Sequence, residues 1–240
     1  MIAQNMTVVV TGAASGIGQA TCAQLSQLFS CADSQGHTCV VHAIDMRRDL
    51  DETAALCVAS DGFRLVPHAG TDVSVDPLPA IDDVTTLINN AGIQEGDDRQ
   101  VLTNNVMSVM RCTERYALHN PSIRSVVNLA STSAHTGAEL GAYTASKGAV
   151  LSYTKWTAKQ IAPRATCNSL SFGGVDTPLN DRVYEDATWA KIMRMTPLRK
   201  WLSAREAADW ILFVALRNES MTAQDIVIDN GEMYNHTFVW

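Results

Sequence analysis

The 240-residue sequence is short of positive charge: 18 Lys and Arg stand against 25 Asp and Glu, a formal net charge of −7. That argues against nucleic acid as the main partner, because no basic excess is left to neutralise phosphates. Long apolar runs are missing too. The longest, such as "WILFVAL" at 210–216, fall far below the ~20 residues of a bilayer-spanning helix. The opening "MIAQNMTVVVTG" has no charged leader followed by an apolar stretch and a cleavage site. The expectation is therefore a cytoplasmic protein without secretory signal or membrane contact. Cys22, Cys31, Cys39, Cys57, Cys112 and Cys167 are scattered, with neither a Cys-x-x-Cys nor a histidine at ligand spacing. They read as small hydrophobes, and no metal site is expected. No repeat, low-complexity tract or Pro/Ser-rich linker divides the chain, which predicts one domain over 1–240.

What the chain does have is an alternation of short β-branched runs and longer helix-like segments. The predicted strands are 6–10, 38–44, 63–69, 84–89, 123–130, 165–171 and 224–229; the predicted helices are 17–29, 50–59, 98–118, 143–161 and 203–217. That order predicts an α/β fold, a doubly wound parallel sheet of about seven strands flanked by helices.

The first strand runs directly into "TGAASGIG" at 11–18. Gly12, Gly16 and Gly18 permit a tight turn and close backbone approach, and the following helix start offers N–H groups to a pyrophosphate. Strand, turn and helix in this order point to a Rossmann-type dinucleotide site rather than a plain glycine turn. Asp45 ends the second strand, where a carboxylate accepts ribose hydroxyls of NAD and repels the 2′-phosphate of NADP. It lies 33 residues after Gly12, beyond the usual ~20, and "LFSCADSQ" at 28–35 reads as the insertion responsible. Ser15 and Met46 offer no cation to a phosphate, whereas Arg47 and Arg48 keep NADP open. In "GAYTASKGAV", Tyr143 and Lys147 stand at i and i+4, on one helix face. Taken alone, such a pair reads as an ordinary amphipathic helix with its Lys in water.

The signatures "TGAASGIG", "NNAG" at 89–92, Asn105 in "NNVMSV", Ser131 in "NLAS", "YTASK" at 143–147 and "NSLSFGGVDTP" at 168–178 occur in one order across the chain. With them the sequence resembles the short-chain dehydrogenase/reductase family of the single-domain type. The resemblance implies a catalytic set of Ser131, Tyr143, Lys147 and Asn105. Tyr143 would exchange a proton with the substrate oxygen, Lys147 would support it and hold the nicotinamide ribose, and Ser131 would hydrogen-bond the reacting oxygen. Asn105 would order a water chain, with Asn104 as the competing assignment. Thr132 and Ser133 compete with Ser131, which the preceding "NLA" and its spacing from Tyr143 favour. A phenol ionises near pH ~10, so poising Tyr143 near neutrality asks for roughly 4 kcal/mol of preferential phenolate stabilisation. The implied cofactor is NAD, with contacts from Gly12, Ser15, Gly16, Ile17, Gly18, Asp45, Asp72, Val73, Asn89, Ala91, Gly92, Tyr143, Lys147, Val175 and Thr177.

Two departures modify this reading. The family's Pro-Gly after the sixth strand is Phe172-Gly173, which places a ring beside the nicotinamide end. The middle is short, so the third crossover helix is expected to be vestigial and the fourth to begin late. This compact middle and the tail "IVIDNGEMYNHTFVW" are similar to bacterial 3α-hydroxysteroid dehydrogenases/carbonyl reductases, which implies a hydroxysteroid or other apolar cyclic alcohol as substrate. The segment 176–196 has the position of a substrate lid, with Leu179, Val183, Tyr184, Trp189, Ile192 and Met193 as its apolar surface. The resemblance also implies a homotetramer or homodimer, with "HTFVW" at an interface. The alternatives are an NADP-dependent carbonyl or 3-oxoacyl reductase and a non-catalytic dinucleotide sensor.

Overall fold

"NMTVVVT" forms the first strand, β1 (Asn5–Thr11). Successive side chains of a strand point to opposite faces. Val8 and Val10 accordingly join a core with Leu25, Phe29 and Ile211, while Val9 joins another with Leu87, Tyr116 and Ile161. All three valines are wholly buried, as a strand covered on both sides requires. The structure, a computed structural model, describes residues 5–30, 36–138, 140–180 and 186–234. Cys31, positions 31–35 of the expected insertion, Val183 and Tyr184 of the expected lid, and the tail "HTFVW" lie outside the described residues.

The remaining strands are β2 (Thr38–Asp45), β3 (Phe63–Ala69), β4 (Thr86–Asn89), β5 (Ser125–Leu129), β6 (Thr166–Phe172), β7 (Val175–Asp176), β8 (Leu202–Ser203) and β9 (Asp225–Ile228). Seven of them form one parallel sheet in the order β3-β2-β1-β4-β5-β6-β9, and β7 pairs with β8 beside it. The helices are α1 (Gly16–Ser30), α2 (Asp51–Leu56), α3 (Asp98–Leu102), α4 (Ser108–Thr113), α5 (Ser133–Thr136), α6 (Gly141–Ile161), α7 (Asp186–Met195) and α8 (Ala204–Leu216). Helix α8 starts on a capping box: the Ser203 hydroxyl accepts from the Glu206 N–H while the Glu206 carboxylate accepts from the Ser203 N–H. The chain leaves β1 toward β2 on one side and returns to β4 on the other. Such a reversal opens a crevice at the carboxyl ends of the strands.

Two local differences from the sequence reading have physical causes. The predicted fourth and fifth strands begin two residues late, at Thr86 and Ser125, because Thr85 and Arg124 bond to the adjacent segment outside the regular ladder: Thr85 N–H to Thr7 O, Arg124 N–H to Thr85 O. The segment 98–118 is helical throughout but not uniformly so: π-helical turns at Thr103–Met107 and Glu114–Leu118 flank α4. Each wider turn admits an extra residue, which hydrophobic periodicity cannot reveal. No helix forms between Ala69 and Thr86, as the short middle implied. Side chains pin that connection instead. The Arg111 guanidinium donates to Asp76 O at 2.6 Å, Tyr116 Oη to Pro79 O at 3.0 Å, and Asn120 Nδ2 to Val84 O at 2.7 Å. The sheet above it carries two half-buried, stacked imidazoles, His42 and His68, with ring nitrogens 2.9 Å apart.

Candidate active site

At the crevice, the loop after β1 brings main chain against main chain. A Cβ on Gly18 would sit 2.1 Å from Gly12 O, and one on Gly12, whose φ is +68°, would sit 2.7 Å from Asn90 Nδ2. Only glycine leaves this passage open. Asn90 secures it: Nδ2 donates to Thr11 O at 2.9 Å and Gly12 O at 3.0 Å, and its N–H donates to Thr11 Oγ1. The resulting cleft, of about 570 Å³, is lined by Gly12, Ser15, Gly16 and Ile17 at its floor and by Asp45, Asp72 and Val73 at one end.

Asp45 is 8% exposed, and its orientation is fixed. Oδ2 accepts from the Ala14 N–H at 2.9 Å and Oδ1 from the Arg47 N–H at 2.8 Å, which ties the glycine loop to the end of β2. A carboxylate has about four acceptor sites, so each oxygen retains capacity for a further donor. Arg47 lines the same end. Asp72 is turned back into its own loop, where Oδ1 accepts from the Ser74 N–H at 2.9 Å and the Ser74 hydroxyl at 2.6 Å.

A second cavity, of about 530 Å³, shares Ile17, Asn90, Gly92, Thr177 and Leu179 with the first, so the two form one groove across the carboxyl ends of the sheet. Ser131, Tyr143 and Lys147 line this second part, with Val175 and Phe172 in its wall. Ser131 follows β5 directly; its Oγ accepts from the Ser133 N–H at 3.1 Å, which orients the hydroxyl. Thr132 also lines the cavity, whereas Ser133 is 1% exposed. Tyr143 and Lys147 are one turn apart on α6, with Nζ 5.6 Å from the centre of the Tyr143 ring. Lys147 is 6% exposed and donates to Leu129 O at 2.9 Å. Phe172 is 5% exposed and belongs to the core beneath the cavity, so the ring that replaces the expected proline is packed rather than loose.

Asn105 lies in the first π-turn and does not line the groove. Its Oδ1 accepts from the Ile93 N–H at 2.7 Å, and Nδ2 donates to Ile93 O at 2.8 Å and Ser146 Oγ at 2.9 Å. Ser146 Oγ in turn donates to Tyr143 O at 2.7 Å, so Asn105 joins the loop after β4 to the helix that carries Tyr143. Asn104 is the one of the pair that faces the cleft. A similar division holds in "NNAG". Asn89 turns inward, donating to Asn128 Oδ1 at 2.8 Å and Thr113 Oγ1 at 3.2 Å, and Asn90 faces the groove together with Ala91 and Gly92. Strand β4 is buried on both faces, so no alternation of polarity marks which asparagine points where. Gly18 and Asn89 therefore support the groove from behind.

The lid segment enters through Leu179 and Ile192, which line the second cavity, and Trp189, which packs edge-on against Trp201 at 5.1 Å. Met193 is half-buried and lines neither cavity. Among the cavity residues that escaped the sequence reading are Trp201 and Glu232. Their only advance signal was the glycine pair 173–174: a Cβ on Gly174 would meet Trp201 Nε1 at 2.0 Å, and one on Gly173 would meet Glu232 Oε2 at 2.6 Å. Among the described residues, no helix is long and apolar enough to cross a membrane.

A family model described as enoyl-(acyl carrier protein) reductase matches residues 81–232. The 3-oxoacyl-[acyl-carrier-protein] reductase of Thermotoga maritima is 29% identical over 245 residues, covering 93% of this chain and 96% of its own. A solved structure from Agrobacterium tumefaciens with bound NADP is 25% identical with a TM-score of 0.83, covering 95% of this chain and 96% of that one. A 3-oxoacyl-[acyl-carrier protein] reductase from Brucella melitensis, solved with bound NAD, shares the fold at 22% identity and a TM-score of 0.73, covering 94% and 90%.

Proposed function

The chain belongs to the short-chain dehydrogenase/reductase family, an oxidoreductase family that binds dinucleotides, and on that premise we propose that it interconverts a secondary alcohol and a ketone with NAD(H). The observation that carries this reading is the meeting of Ser131, Tyr143 and Lys147 in one cavity that opens into the glycine-floored cleft. That cleft fits a dinucleotide, because a Cβ at Gly12 or Gly18 would fill the passage a pyrophosphate needs. Gly12, Ser15, Gly16 and Ile17 would hold the pyrophosphate, Asp45 the adenosine ribose, Asp72 and Val73 the adenine, Ala91 and Gly92 the middle, and Lys147, Val175 and Thr177 the nicotinamide end. When bound, the nicotinamide supplies or accepts the hydride.

The chain's own residues handle the proton. Ser131 Oγ, oriented by the Ser133 N–H, donates to the substrate oxygen and stabilises the charge that develops there. Tyr143 Oη gives a proton to that oxygen in reduction and takes it back in oxidation. Lys147 lowers the cost of the phenolate: a cation about 5–6 Å away in a medium of effective dielectric ~20 contributes about 3 kcal/mol, most of the ~4 kcal/mol required. Asn105 acts through others as a positioning residue, keeping Gly92 and Ile93 against α6. Leu179 and Ile192 belong to a lid over 176–196 that excludes water. The apolar walls, among them Leu129, Phe172, Val175 and Met195, suit an apolar cyclic ketone or a hydroxysteroid. Exposed Trp210 and Phe213 on α8 fit a homodimer or homotetramer.

A second reading, an NADP(H)-dependent 3-oxoacyl reductase, is favoured by Arg47 at the adenosine end and by the Thermotoga maritima relative. Comparing turnover of ketones and 3-oxoacyl thioesters with NADH and NADPH separates the two. In the same assay Tyr143→Phe is expected to lose at least ~10²-fold in kcat while NADH affinity persists. Full turnover by Tyr143→Phe would overturn the mechanism, and cofactor binding without any turnover by the unaltered protein would leave a dinucleotide sensor.

A further inference from the structure

The second cavity holds one carboxylate among its described lining residues, Glu232, and no step of the proposed reaction uses it. Its place is set by the two glycines after β6. A Cβ on Gly173 would lie 2.6 Å from Glu232 Oε2, and the Gly174 N–H donates to Oε2 at 3.2 Å. Gly173 directly follows Phe172, whose carbonyl accepts the N–H of Thr132, the neighbour of Ser131, at 3.1 Å. The carboxylate thus lies against the residues that follow Phe172, the partner of the strand end that presents Ser131, and lines the same cavity as Ser131. Oε1 accepts from Thr196 Oγ1 at 3.3 Å, and the Trp201 side chain is a third hydrogen-bond partner.

These contacts leave the group under-compensated. The Gly174 and Thr196 bonds, at 3.2 and 3.3 Å, lie at the weak end for N–H and O–H donors, Trp201 adds a third donor, and a carboxylate accepts about four. Burial pushes the Glu232 carboxyl up from its ordinary value, and nearby Asp229 adds to the rise; the Gly174 N–H, Thr196 and Trp201 work against it. The cavity's only cation among the described lining residues, Lys147, donates to Leu129 O. A brace for the 173–174 turn needs neither a negative charge nor a position in the cavity wall.

We propose that Glu232 is a specificity-determining residue that selects uncharged ketones carrying a hydroxyl beside the reacting carbonyl. This rests on the oxidoreductase reading above and names its substrate class. With the carbonyl oxygen between Ser131 and Tyr143, a hydroxyl on the adjacent carbon donates to Glu232, while a carboxylate substituent there meets like charge and is rejected. The apolar walls take the remainder of the ring.

The test compares 2-hydroxycyclohexanone with cyclohexanone, each reduced with NADH, in the unaltered protein, Glu232→Gln and Glu232→Met. The readout is the ratio of the two kcat/KM values. One hydrogen bond to a charged acceptor predicts a ratio of roughly tenfold or more in favour of the hydroxyketone. That preference should shrink severalfold in Glu232→Gln, which keeps an oxygen for the Gly174 N–H, and approach one in Glu232→Met, with the change mainly in KM. A brace would move both ketones by the same factor and preserve the ratio, which overturns the proposal. A ratio near one in the unaltered protein does the same. Failure of the parent reading looks different: neither ketone is turned over. Preference is then read from the change in NADH fluorescence as each ketone is added to the NADH complex, and an equal response to both overturns the proposal.

Discussion

Replacing Asp45 by asparagine is the sharpest probe of coenzyme choice. In the unaltered protein the Asp45 carboxylate is 8% exposed and fixed by the Ala14 and Arg47 N–H groups, so it cannot swing away from an incoming 2′-phosphate. Two unit charges about 4 Å apart cost about 1 kcal/mol in water and about 4 kcal/mol at an effective dielectric of 20. A phosphate carries roughly −1.5 to −2 charges at neutral pH. The cleft mouth lies between these limits, so the proposed NAD(H) reading predicts a penalty on NADPH of about 2–4 kcal/mol, a preference for NADH of roughly 30- to 1,000-fold. Asparagine keeps an oxygen for the Ala14 N–H, removes the charge and leaves Arg47 beside the phosphate. The ratio of kcat/KM for NADH over NADPH should therefore fall at least ~30-fold. Dissociation constants from fluorescence titration should follow it, and the melting temperature should change little. A ratio that shifts less than about threefold, in a variant with normal melting, would refute the argument that this carboxylate sets the preference.

Asn105→Ala removes at once the three hydrogen bonds of a buried side chain and leaves the Ile93 amide without its partner. It is expected to cost about 2–4 kcal/mol in urea unfolding. Because its partners lead to Tyr143, kcat should also fall while NADH affinity holds, a split that lost stability alone does not produce. The His42–His68 pair predicts a pH dependence. Burial holds both imidazoles below their ordinary value, and His68 and Arg64 press His42 further down. The unfolded chain then binds more protons as pH drops. The stability is fully present above about pH 6.5 and is lost as pH falls from there toward the depressed folded values. Denaturation midpoints measured between about pH 8 and about pH 5.5 should show this slope, and replacing both histidines by glutamine should flatten it.

The sequence disclosed strands far better than side-chain directions. All seven sheet strands were legible because each is a short β-branched or apolar run between turn signals, and the ends of β4 and β5 slipped only where bonding departs from the ladder. Ser131, Tyr143 and Lys147 were legible as a set only through the family resemblance, since the spacing of Tyr143 and Lys147 alone marks no more than one helix face. Asn89 and Asn90 were not separable, since a strand buried on both faces carries no polarity pattern. The π-turn that turns Asn105 inward and Asn104 outward adds a residue without a proline or glycine to announce it. Glu232 was invisible for another reason. It reaches the groove from beyond the last strand, 58 residues after the Gly174 that it touches, and only the folded chain makes them neighbours.

The glycine contacts bear on how the groove responds to its surroundings. At the Gly12–Gly18 passage and again at Gly173–Gly174, the walls are backbone held against backbone or against a fixed ring, with no room for a single carbon. Side chains change rotamer within nanoseconds, whereas main chain bonded into a sheet does not. The groove is therefore gauged at both ends by its least compliant material, like a bore cut in the frame rather than shaped by its lining. Substitutions along the apolar wall between these points can alter what fits, while the spacing between the adenosine end and the reacting end stays as the fold sets it.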